Sequence, residues 1–486
     1  MKIIYFLLLF SFAGNYHVFS QPEANSQSIV LQKRLKHHAQ MAVNYLKASQ
    51  QQQSDSPRYF RGEWGSVMEM NFWFPILGGY QRAYDSNCFA VAGTFNLLAQ
   101  AYMAYPEYDE IPEMLKLAMP RILAYESDGS FNFWNALPPT HKHRKIFEPD
   151  NPIVRRPNNF ELSLNFIRKS ANVANDADDT AAGYMALNYY HKIFRDSVPD
   201  SLSNFVNLVV PYRDYDRRNR HWYNVYRLQG HDTGAYLTWL ADEHEYLGNW
   251  NLFKDYLHAQ LFYLPISKMY PHAYTPYIPY GTNEIDPVVN ANILSTIAVL
   301  KIEKATGYDD AIAYIKQCIK KSDYDFAATY YPNRYHLPYY VSKSWMLGVD
   351  DLDEVRAPIL TFILETQNED GSWFSRDFIN DEDALQSTIY ALNTLIHFDA
   401  LNDENVKEAA FKALDFIISN KINTLNGYYW KGGVFFGGGT VVRHVLHWKS
   451  DAFTTALALE AFLGLRKYLE KTDSSQKLTD NESMVD

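Results

Sequence analysis

The feature that most constrains this chain is a recurring helix start. Six times an aspartate heads a run of small and apolar residues long enough for roughly two to four helical turns. The runs begin Asp85-Ser86-Asn87-Cys88-Phe89-Ala90, Asp176-Ala177-Asp178-Asp179-Thr180-Ala181, Asp232-Thr233-Gly234-Ala235-Tyr236-Leu237, Asp286-Pro287-Val288-Val289-Asn290-Ala291-Asn292, Asp381-Glu382-Asp383-Ala384-Leu385 and Asp451-Ala452-Phe453-Thr454. Aspartate suits such a position because its carboxylate accepts the free N–H groups of the first turn, and Pro287 suits the first helical residue. A helix that is apolar on every side has to be enclosed by others.

Amphipathic helices are expected between these runs, over 30–49, 109–125, 199–210, 250–263, 308–321, 354–367 and 404–420. The pair recurs at a spacing of roughly fifty residues. A two-helix unit that cannot bury its own apolar face must stack on its neighbours. Enclosed helices alternating with amphipathic ones predict two concentric rings. The expected fold is therefore all-α, a single α/α toroid of six or seven helix pairs spanning 29–470; an open solenoid is the alternative. A stretch from Tyr339 to Gly348 is the candidate seventh inner helix. Gly427 to Thr440 reads as a hairpin.

The flanking segments are different. Lys2 precedes an apolar run, Ile3 to Ala13, and Val18 and Ser20 suit the −3 and −1 positions of a cut before Gln21, so 1–20 reads as a secretion signal. The run is too short for a membrane span, and no later stretch approaches the ~20 apolar residues that one needs. A secreted or periplasmic protein with no stable membrane span is expected. Residues 21–28 and 471–486 are polar and read as a flexible start and a disordered tail. A net charge of -11 gives no general attraction to nucleic acid. The two cysteines, Cys88 and Cys318, pair only if the fold brings them together; both lie on apolar helical faces, as buried free thiols do. The sequence asks for no cofactor and no metal.

The Asp176 start differs from the rest in carrying three carboxylates, Asp176, Asp178 and Asp179. One suffices as a cap, and burying the surplus costs several kcal/mol unless it is paired or protonated. The surplus marks a site. Two motifs then resemble a known superfamily. Asp176-Ala177-Asp178-Asp179-Thr180-Ala181 resembles the DxDDTA acid motif of class II terpene cyclases, and Gln367-Asn368-Glu369-Asp370-Gly371-Ser372-Trp373 resembles their QxxxGxW repeat. Weaker echoes are Ser127-Asp128-Gly129-Ser130-Phe131 and Gly427-Tyr428-Tyr429-Trp430. The resemblance implies that Asp178 protonates an alkene or epoxide while cavity aromatics stabilise the resulting cations.

Export and architecture also resemble the α/α-toroid polysaccharide lyases and unsaturated glycuronyl hydrolases. Aromatic residues make up 16% of the chain, an excess that suits stacking on sugar rings as well as a large core. The loops supply Arg220, His221 and Trp222, then His231-Asp232, Tyr274, and Arg443-His444 with His447-Trp448. His231 is a candidate acid or base, because histidine titrates near working pH. Arg443, His444 and His447 are candidates to neutralise an anionic sugar. Asn290 and Asn292 are candidate substrate ligands or helix-to-helix ties.

The leading expectation is a secreted enzyme acting on an anionic extracellular polysaccharide or its oligosaccharides, as a lyase, dehydratase or hydrolase. Asp178, His231, Asp176 and Asp179 would be catalytic. Asp232, Arg220, His221, Trp222, Asn290, Tyr274, Arg443, His444, His447 and Trp448 would bind substrate. The alternatives are a class II terpene-cyclase-like enzyme and a glycan-binding protein without activity. A deep apolar cavity ending on Asp178 would favour the polyene; an open cleft lined by Arg, His and Tyr would favour the glycan.

Overall fold

The computed structural model describes residues 21–70, 81–138, 151, 153–159, 173–195, 197–215, 232–241, 283–375, 383–438 and 446–483. Its helices are α1 (Gln21–Ser49), α2 (Cys88–Ala104), α3 (Ile111–Leu123), α4 (Ala177–Phe194), α5 (Phe205–Val209), α6 (Pro287–Val299), α7 (Tyr308–Lys320), α8 (His336–Met346), α9 (Arg356–Glu365), α10 (Ala384–His397), α11 (Glu404–Ser419) and α12 (Asp451–Ser483).

Even-numbered helices pack in a cycle: α2 on α4, α4 on α6, α6 on α8, α8 on α10, α10 on α12, and α12 back on α2. These are the enclosed helices, and α6 shows why: Val288, Val289, Ile293, Leu294 and Ile297 are buried around its whole circumference. The odd-numbered helices lie outside. On α7, Ala311, Ile312, Ile315 and Ile319 are buried on one stripe, while Asp309 and Lys320 stay in water.

Aspartate caps begin three of the inner helices. Asp176 accepts from Asp179 N at 2.7 Å, Asp286 from Val288 N at 2.8 Å and Asp383 from Gln386 N at 3.0 Å. At α2 the cap is Asn87, which accepts from Ala90 N at 2.9 Å, and Asp85 is freed for another role. At α12 Ser450 accepts from Phe453 N at 3.2 Å, and Asp451 instead accepts from Gly432 N at 2.7 Å.

The expected helix start at Asp232 is not there. Residues 232–241 run extended, with bridges from Tyr236 to Arg213, Leu237 to Ile285 and Trp239 to Asp176. Asp232 itself has φ +49° and Gly234 has φ +73°, left-handed values that do not start a helix. Its place in the ring goes to α8, over the Tyr339–Gly348 stretch read as a seventh inner helix.

The all-α expectation also needs amending. Strands β1 (Val67–Met70), β2 (Gln81–Tyr84), β9 (Val434–Gly438) and β10 (Leu446–Lys449) form one antiparallel sheet in the order β2-β1-β10-β9. The expected hairpin at 427–440 is divided. β8 (Gly427–Tyr429) pairs back with β7 (Ile422–Thr424), while β9 turns forward to β10. Two-stranded pairs β3 (Glu126–Ser127) with β4 (Ser130–Phe131), and β5 (Ala136–Leu137) with β6 (Val154–Arg155), complete the strands among the described residues. The four-stranded sheet is placed by its neighbours. β2 leads into α2 and β10 into α12, and these helices touch, so the sheet sits at the end of the ring where the inner helices begin.

Of the segments expected to be loose, 21–28 belongs to α1 and 471–483 to α12; 484–486 lie outside the described residues. Ser28 Oγ donates to Asp473 at 3.0 Å and Gln32 Nε2 does so at 2.8 Å. Cys88 and Cys318 are both free and buried.

Candidate functional site

Three carboxylates of one helix start meet in the ring's interior. Asp176, Asp178 and Asp179 are all buried. Asp178 accepts from Asn292 Nδ2 at 2.7 Å on one oxygen and from the Tyr331 hydroxyl on the other. Both donors favour its ionised form, but removal from water and the nearby charge of Asp176 outweigh them. The Asp178 carboxyl is pushed up to about 7. Asp176 and Asp179 share a hydrogen bond; burial raises both, and at Asp179 the charges of Asp176 and Asp178 add to the rise. The Cys88 thiol, at the start of α2, hydrogen-bonds Asp179 and is itself pushed up by burial and by the charges of Asp179 and Asp176.

The cluster forms part of the wall of a cavity of about 150 Å³ among the described residues. Apart from Thr238 and Gly438, the rest of that wall is aromatic and aliphatic: Phe133, Trp134, Trp239, Tyr330, Phe436 and Trp448, with Val173, Val289 and Leu446. The rings form a connected shell. Phe133 stacks on Phe436 at 4.8 Å, Trp448 meets Phe133 edge-on at 5.3 Å, and Tyr330 stacks on Phe436 at 5.6 Å. A protonated carboxyl facing an apolar, electron-rich enclosure can deliver a proton to a weak base and leave a cation among π faces.

The four-stranded sheet separates this cavity from a second, polar one. Alternation along β10 turns Leu446 and Trp448 toward the aromatic cavity and His447 and Lys449 away from it. On that far face lies a groove of about 450 Å³ lined by Tyr45, Glu69, Arg82, Tyr84, Lys431 and Lys449. Glu69 is paired with Lys449 at 2.7 Å and with Arg82 at 3.3 Å.

The site residues expected from sequence fall into three groups. Asp176, Asp178, Asp179 and Trp448 come together at the aromatic cavity. Asp232, Asn290 and His447 do not. Asp232 is exposed on its extended segment. His447 is buried on the opposite face of the sheet. Asn290 is fully buried and its amide is taken up by backbone, accepting from Tyr236 N at 3.0 Å and donating to Asp286 O at 2.9 Å. His231, Arg220, His221, Trp222, Tyr274, Arg443 and His444 lie outside the described residues.

No family model matches the chain, and no curated protein does. Solved structures do. A variant of the type II terpene cyclase MstE from Scytonema, in complex with geranylgeranyl dihydroxybenzoate, superposes with a TM-score of 0.51 at 12% identity, covering 90% of this chain and 99% of that one. The fold is the α/α toroid. Cellobiose 2-epimerases share it. The enzyme from Bacillus thermoamylovorans matches at TM-score 0.50 and 10% identity over 90% of this toroid and 99% of its own chain. That from Spirochaeta thermophila matches at TM-score 0.50 and 14% identity over 93% and 100%. At such identities the likeness is one of fold.

Of the two partners of Asp178, Asn292 is one of the pair of amides marked in the sequence, while Tyr331 is not. Asn292 carries a faint signal, as a second amide one turn into an apolar helix. Tyr331 carries none, because it reaches Asp178 from the segment before α8, far along the chain. Among the described residues no three His, Cys, Asp or Glu side chains are grouped to hold a metal ion.

Proposed function

We propose that this toroid, read as a single ring of six helix pairs, is an enzyme that initiates reaction of an apolar, unsaturated substrate by proton transfer from Asp178. The observation that carries this is the meeting of a raised, hydrogen-bonded carboxyl with an enclosure of aromatic walls. The proton moves from the Asp178 carboxyl to an alkene carbon. The alkene π pair forms the new C–H bond, and the adjacent carbon becomes cationic. A second alkene within the same molecule then donates its π pair to close a ring, and the last cation releases a proton. As the proton leaves, Tyr331 and Asn292 stabilise the developing Asp178 carboxylate, so their hydrogen bonds strengthen toward the transition state. Asp176 and Asp179 hydrogen-bond one another, and the charge of Asp176 raises the proton affinity of Asp178. The DxDDTA resemblance supports the same assignment.

The test is incubation of the mature protein with polyprenyl alcohols in D₂O. Cyclised products carrying one solvent deuterium at the initiating carbon, lost with Asp178→Asn, are expected. Turnover that is unchanged in that variant refutes the assignment.

A second reading is favoured by the polar groove beyond the sheet. Its Tyr45, Glu69, Arg82, Lys431 and Lys449 suit an anionic oligosaccharide better than the aromatic cavity does. In this reading the protein acts on an extracellular uronate polysaccharide as a lyase or hydrolase, and new unsaturated chain ends absorbing in the ultraviolet would distinguish it. Both readings take 1–20 as a secretion signal, which places the protein outside the cytoplasm; a mature N-terminus at Gln21 would establish the cut.

A further inference from the structure

We propose that Asp85 is a positioning residue that makes two walls of the aromatic cavity selective for positive charge. Its Oδ2 accepts the indole N–H of Trp448 at 2.7 Å and that of Trp134 at 3.1 Å. The two indoles lie 6.3 Å apart, both line the cavity, and Asp85 is itself buried behind them. Polarising an N–H toward a carboxylate pushes electron density into the ring and strengthens the attraction of its face for a cation.

A comparison within the molecule shows that anchoring alone does not call for a carboxylate. Trp64, Trp373 and Trp430 are fully buried structural tryptophans. Their indoles donate to the backbone carbonyls of Leu46, Ile363 and Ile417 at 2.9, 2.7 and 2.7 Å. Neutral acceptors suffice there. At the cavity the acceptor is a buried charge, which costs more to place. Nor is Asp85 accounted for as a cap, since Asn87 performs that task for α2. Burial raises the Asp85 carboxyl to about 7, so at pH 8 it is mostly ionised.

The inference rests on the proposed reading insofar as the cavity's reaction passes through cations, but its test needs no turnover. The probes are choline and its uncharged carbon isostere, 3,3-dimethylbutan-1-ol, titrated at pH 8 against tryptophan emission. The wild type is expected to prefer choline, and Asp85→Asn, which keeps an oxygen to accept both N–H groups, to lose that preference by roughly 3- to 10-fold. An unchanged preference in Asp85→Asn, or none in the wild type, overturns the proposal. If Asp85→Asn fails to fold, Trp134→Phe and Trp448→Phe each remove one indole N–H while keeping a ring. Each is then expected to lose part of the preference, and full retention in both overturns it. Cation preference without cyclisation would leave Asp85 in place and remove the polyene reading.

Discussion

At the scale of single residues, Asp178 combines two opposed demands. As the proposed proton donor it has to be acidic enough to give up a proton and buried enough to keep one. Its carboxyl is raised from 3.8 to about 7. Between these values the native state keeps a proton that the unfolded chain has released, so the associated stability is complete below pH ~4 and lost as pH rises toward ~7. Asp178→Asn removes that dependence. The melting temperature of the variant relative to wild type is expected to climb between pH 5 and pH 8, while activity falls about 100-fold or more. Calorimetric scans at the two pH values check the first, and product formation the second. Tyr331→Phe removes a donor that favours the carboxylate, so the loss of activity at high pH is expected to move to higher pH. A profile that stays in place would show that Tyr331 does not act on the proton.

At the scale of elements, one device recurs at the joins between outer and inner helices. A threonine in the first turns of an inner helix accepts the N–H of the aromatic residue ending the preceding turn. Thr180 accepts from Phe131 at 2.9 Å, Thr388 from Trp373 at 2.9 Å and Thr455 from Trp430 at 3.1 Å. Asn290 fills the corresponding role for Tyr236, which explains why it serves structure and not substrate. Asn290→Ala is therefore expected to lower stability by about 1–3 kcal/mol in denaturant titration while leaving turnover per folded molecule unchanged. Trp373→Phe leaves the Ile363 carbonyl without its indole partner, a loss of the same order. Gly371 of the same turn has φ +85°, and a Cβ there would lie 2.6 Å from the Lys412 backbone, so only glycine fits. The QxxxGxW pattern was legible in the sequence because it is such a local fit: the Gln367 amide reaches Gly371 O at 3.1 Å and Ala409 O at 2.9 Å.

At the scale of the whole molecule, the two ends of the chain close the ring. α1 packs along α12, and β1 pairs with β10 in register Val67 to Lys449. Removing α12 exposes the apolar faces of α2 and α10 and opens the cycle. A chain ending at Ser450 is expected to lose its near-ultraviolet circular dichroism and its cooperative melting transition; a cooperative transition that survives would mean the ring tolerates a gap.

Local patterns along the chain were enough for the alternation of enclosed and amphipathic helices, most of their starts, and the Asp176–Asp179 cluster. These depend on periodicity and capping, which act within a few turns of chain. The tertiary structure decided the rest. It put α8 in the ring in place of the helix that the Asp232 start predicts, because a segment with bridge partners on both sides can satisfy its backbone without coiling. It built a sheet from strands over three hundred residues apart, whose alternation sends Trp448 to the cavity and His447 away from it. It brought Tyr331 to Asp178 and two tryptophans to Asp85. Long-range pairing of this kind leaves no local signal, since each partner's composition is set by neighbours distant in the chain.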